Sequence, residues 1–72
     1  GMRAQEEIVD MIYDANIMMK KWESQMLSLK DTYGGKVWRH RQFKDAVRNY
    51  NAMRGVIKAL HYVLGSNETP LR

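Results

Sequence analysis

The stretch IVDMIYDANIMMKKWESQMLSLKDTY, residues 8–33, decides the fold. Apolar residues recur in it at Ile8, Ile12, Ala15, Met19, Trp22, Met26, Leu29 and Tyr33. The steps alternate between four and three, an average of 3.5 residues, which is the spacing of a coiled-coil seam. No proline interrupts the run. The spacing predicts one long helix whose stripe lies along a second helix.

Working outward, the helix is expected over about 4–33. Glu6, Glu7 and Asp10 suit the positive end of its dipole, and Lys20, Lys21 and Lys30 lie toward the negative end. Gly34 and Gly35 supply the positive φ that a helix C-terminus often needs. A second seam follows at Phe43, Ala46, Tyr50, Met53, Ile57, Leu60 and Leu64, again in steps of three and four, which predicts a helix over about 37–64 ended by Gly65. The start of this helix is weakly signalled, because residues 35–42 hold no strong N-cap. Residues 66–72 contain Asn67 and Pro70 without apolar period and read as a flexible tail. Two helices joined by a Gly-Gly corner make an all-α, antiparallel helical hairpin over residues 2–65.

A chain of 72 residues buries only about 60% of its unfolded surface and needs a staple. There are no cysteines, which rules out disulfides and weakly fits a reducing compartment. Two histidines, His40 and His61, are too few for a closed zinc site. Oligomerisation is the staple left over. Beyond the seam, the second helix carries another apolar stripe at Ala52, Val56, Ala59 and Val63, with Gly55 beside it. The first helix adds Val9, Met11, Ile17, Met18 and Leu27. A helix apolar on more than one face wants more than one neighbour. The expected assembly is a dimer of hairpins closing a four-helix bundle, with Ala52, Gly55, Val56, Ala59 and Val63 at the interface. Gly55 costs about 1 kcal/mol in a helix interior relative to Ala. It reads equally as a site of close backbone approach and as a tolerated surface glycine.

Nothing in the sequence reads as catalytic. There is no Gly-rich phosphate loop and no metal-ligand spacing. Glu7, Asp10 and Asp14 share a helix face, but no Glu-x-x-His accompanies them, so a solvated face is the simpler reading. Trp22 and the methionines Met11, Met18, Met19, Met26 and Met53 read as core packing, with an adaptable partner groove as the alternative for the methionines. His40 lies between Arg39 and Arg41, an unfavourable place for a base, and His61 reads as a partly buried histidine beside the seam. Ser24 and Ser28 have no evident base partner. No cofactor and no metal is expected.

Charge is the remaining signal. The net charge is +4, but residues 1–19 sum to −3, residues 20–48 to +5 and residues 49–72 to +2. Lys36, Trp38, Arg39, Arg41, Lys44 and Arg48 cluster around the corner, and cations beside aromatics can hold phosphates and stack on bases. The competing reading is a solvated face that compensates helix dipoles. The longest apolar run falls far short of the ~20 residues that span a bilayer. Arg3 leads into acidic residues rather than a signal-peptide core. These features predict a soluble, cytoplasmic protein without a membrane partner.

The stretch Phe43-Lys-Asp-Ala-Val-Arg-Asn-Tyr-Asn-Ala-Met-Arg-Gly-Val-Ile-Lys-Ala-Leu-His-Tyr-Val-Leu64 resembles the second helix of small uncharacterised helical-hairpin proteins encoded by tailed bacteriophages. The shared phrase is Gly-x-Ile-x-Ala-Leu, here Gly55-Val56-Ile57-Lys58-Ala59-Leu60. The resemblance covers roughly a third of the chain. It implies a virion-assembly or host-interaction accessory in the host cytoplasm, not an enzyme, and transfers no functional residues. The expected function is therefore a self-associating protein–protein interaction module. The alternative is a small nucleic-acid-binding protein that uses the basic corner around residues 30–48.

Overall fold

The computed structural model describes residues 2–65. Helix α1 spans Met2–Tyr33, a 3-10 segment spans Gly34–Arg39, and helix α2 spans Arg41–Val63. No strand occurs among the described residues. The two helices pack against each other as a hairpin. The tail expected at 66–72 lies outside the described residues.

At ~1.5 Å per residue, the 32 residues of α1 are about 48 Å long, which accounts for the longest of the molecular dimensions, 48 × 22 × 15 Å. The smallest, 15 Å, is hardly more than one helix with its side chains, ~10–12 Å across. The hairpin is thus a single layer of two helices. Domains normally close a core between two layers.

The seams are where the apolar spacing places them. On α1, Ile8, Ile12, Met19, Trp22, Met26 and Leu29 are half-buried and Ala15 is buried. On α2, Phe43 and Ala46 are buried, and Tyr50, Met53, Ile57, Leu60 and Leu64 are half-buried. Tyr33 alone of the seam residues is exposed. Among the described residues the core of fully buried side chains is small: Ala15, Val37, Phe43 and Ala46. Three of the four belong to the corner or to the first turns of α2.

The corner explains why α2 begins at Arg41 rather than near residue 37. Gly34, at φ +58°, takes the left-handed conformation that ends α1 and that a side chain would strain. The following residues then wind as a 3-10 helix. It is long for its type, because Val37 (1% exposed) is folded inward and two ring pairs clasp it. Tyr33 stacks on His40 with centroids 3.7 Å apart, and Trp38 meets Phe43 edge-on at 4.7 Å. The His40 N–H donates to the Val37 carbonyl at 3.0 Å. His40 then turns extended (φ −94°, ψ 127°) and its carbonyl accepts from the N–H groups of Phe43 (3.2 Å) and Lys44 (3.3 Å), opening α2 without a side-chain cap. Straightening this corner, as a domain-swapped dimer requires, would expose Val37 and part both ring pairs. At the other end, Gly65 at φ +100° donates its N–H to the Tyr62 carbonyl and closes α2.

Candidate functional site

Two surfaces stand out, an apolar face and the basic corner. Ala52, Gly55, Val56, Ala59 and Val63 are all exposed. A Cβ added at Gly55 would meet nothing within 4 Å, so the hairpin itself makes no use of a close approach there.

The grooves between the helices show which other residues share this face. Asn16 and Met19 line one groove with Arg54, Ile57 and Lys58. Glu23, Met26, Leu27 and Lys30 line another with Trp38, Phe43 and Val47. Gln5, Glu6, Val9 and Asp10 line a third with Leu64. One flank of the α1 seam (Val9, Asn16, Glu23, Lys30) thus lies on the same side of the hairpin as one flank of the α2 seam (Val47, Arg54). The opposite flanks must then share the other side: Met11, Met18 and Gln25 from α1, with Asn49, Val56 and Val63 from α2. The same antiparallel register sets Met11 level with Val63, Met18 level with Val56, and Gln25 level with Asn49. Met11 is 53%, Met18 46%, Val56 39% and Val63 63% exposed. With Ala52 and Ala59 on the outer edge, they form one apolar patch spread over both helices. Sequence reasoning found the α2 half of this patch. Met11 and Met18 stand in the sequence as surplus apolar residues, and their side of the hairpin follows only from the register.

The methionines therefore divide. Met19, Met26 and Met53 are half-buried in the seam, whereas Met11 and Met18 are exposed and do not pack the core. His61, expected to be partly buried, is exposed, because it lies off the seam near the end of α2. Trp22 is half-buried at the edge of the seam, with the Lys21 ammonium 5.4 Å from its ring centroid. Glu7, Asp10 and Asp14 are exposed. No group of three or more side chains fit to hold a metal ion occurs among the described residues.

At the corner, Lys36, Arg39, Arg41, Lys44 and Arg48 are exposed, and Trp38 keeps 58% of its surface open despite its contact with Phe43. Only part of this charge compensates helix dipoles. Lys30 lies in the last turn of α1, where a cation is favoured. Arg41 and Lys44 lie in the first turn of α2, which has no acidic residue, so their charge adds to the positive end of the dipole. The corner is the electropositive pole of the molecule.

No helix among the described residues is long and apolar enough to cross a membrane. Comparisons with protein-family models, with curated proteins and with solved structures gave no match.

Proposed function

We propose that the chain is a non-enzymatic assembly module that works by protein–protein association, with a second copy of itself as the partner. The observation that carries this reading is the apolar patch of Met11, Met18, Ala52, Val56, Ala59 and Val63, left open on a hairpin one layer thick. Among the described residues, eleven large apolar or aromatic side chains are exposed, against two larger than alanine that are buried. Exposed apolar patches of this kind mark interaction surfaces. A two-helix layer gains a second layer by pairing, and a four-helix bundle is the simplest result. The resemblance of α2 to phage-encoded hairpins belongs to the same proposal and would make the module a virion-assembly or host-interaction accessory.

The test is solution mass by light scattering over a concentration series. A dimer of twice the 8.5 kDa chain mass, or a higher species, is expected, with dissociation only on dilution. A monomer at every concentration sinks the reading.

A second reading, nucleic-acid binding at the corner, is favoured by one observation: Trp38 stands exposed among five exposed cations at the positive end of α2. Stacking on such a ring is worth ~1–3 kcal/mol per base, and phosphate contacts weaken steeply with salt. On this reading single-stranded DNA or RNA shifts in a gel at low salt and is released as salt rises, and Trp38→Ala weakens the shift about tenfold or more. No shift at low salt eliminates it.

A further inference from the structure

Resting on the assembly reading, we propose that the second copy docks on the patch in antiparallel orientation, so that each corner reaches past the open end of its partner. A symmetric contact pairs a patch with itself, and the two-fold axis lies in the plane of the contact. If the axis ran along the helices, each α1 would cover the partner's α2 with both corners at one end. If it runs across them, α1 covers α1 and α2 covers α2, head to tail.

The residues favour the second case. The patch is centred level with the midpoint between Met11 and Met18 on α1 and close to Ala59 on α2. An axis through that centre brings Met11 opposite the partner's Met18, Val56 opposite the partner's Val63, and Ala59 beside the partner's Ala59. Large side chains meet large ones at both ends in either case, but only the head-to-tail case sets the small Ala59 against the partner's Ala59 where the α2 helices cross. Charge points the same way. Along the α1 edge of this face Glu7, Asp14 and Lys21 follow at seven-residue steps from the open end toward the corner. Head-to-tail docking brings Glu7 level with the partner's Lys21 twice per dimer, against one meeting of Asp14 with the partner's Asp14 at the centre, whereas corners-together docking sets Glu7 against the partner's Val63 region. Charge complementarity of this sort selects orientation more than it adds affinity.

The area suffices. In this arrangement residues 2–27 of α1 overlap the same residues of the partner, about 38 Å at ~1.5 Å per residue. The α2 helices overlap over residues 54–65, about 18 Å, so with half of the 22 Å width for each helix the contact is on the order of 600 Å² per chain, the low end of the standard stable interface. The corners project beyond the overlap and keep their cations in water.

The chain has no cysteine, so single cysteines report the geometry cleanly. Disulfides form where Cα atoms come within ~7 Å. Under mild oxidation Ala59→Cys is expected to give a covalent dimer about tenfold faster than Asn51→Cys, an exposed control that lies off the patch. In case a cysteine at the crossing perturbs packing, a tagged Met11→Cys chain mixed with a Met18→Cys chain is expected to yield the mixed dimer. A dimeric protein whose Met11→Cys chain instead links to a Val63→Cys chain, with Ala59→Cys inert, would overturn the head-to-tail arrangement and leave the assembly reading standing. A wild-type chain that is monomeric by light scattering would overturn both.

Discussion

Phe43→Ala is expected to lower the thermal midpoint of the hairpin by about 15–30 °C, read as loss of helical circular dichroism on heating. Truncating a buried Phe costs ~3–5 kcal/mol, and a chain of this size has only about 4–11 kcal/mol in total at ~0.05–0.15 kcal/mol per residue. Each kcal/mol moves the midpoint of so small a domain by ~4–8 °C. The ring is hard to replace for two reasons. It is one of two buried side chains larger than alanine among the described residues, so little else is at hand to fill the void. It also supports the edge of Trp38, whose loss loosens the 3-10 segment that carries Val37. A drop below about 5 °C, the effect of a ~1 kcal/mol change, would show that the corner does not carry the core.

Ala59→Glu is expected to leave helicity almost unchanged and to dissociate the assembly. Within one hairpin the side chain is exposed, and Glu is nearly as good a helix former as Ala, so the fold tolerates it. In the head-to-tail dimer the two carboxylates would meet at the crossing, unpaired and partly desolvated. An uncompensated charge in such a place costs ~3–5 kcal/mol, which at ~1.4 kcal/mol per tenfold raises the dissociation constant by about 100-fold or more. Light scattering at a concentration where the wild-type chain is dimeric checks this directly. An unchanged mass, with helicity intact, would remove α2 from the interface.

The sequence carried the helices and the seam because both rest on local rules. A three-four alternation forces apolar side chains onto one side of a helix, and fourteen of the fifteen seam residues read that way are half-buried or buried. Tyr33 departs because α1 ends there and its ring turns to His40. The corner was less legible. Val37, the most deeply covered residue larger than alanine among those described, sits outside either seam, beside Lys36, Trp38 and Arg39, and periodicity gives it no weight. Its burial follows from the 3-10 winding that Gly34 starts, which is a matter of backbone geometry. The patch was half legible for a related reason. Ala52, Val56, Ala59 and Val63 repeat along one helix, but Met11 and Met18 join them only through the antiparallel register between two. Arg41 and Lys44 could be located on a helix, yet their conflict with its dipole depends on where α2 begins.

The gathering of buried residues at the corner also sets an order for folding. The connection between the helices is seven residues long, so joining its ends costs little chain entropy. The first layers it brings together, around Leu29, Val37, Phe43 and Ala46, include the best covered in the molecule. Every later layer forms next to one already made, and its two partners are drawn together by the zip behind them. Such a chain folds by zippering from a single nucleus, with low contact order and correspondingly fast kinetics. On unfolding, the open end parts first and the turn is the last structure to go.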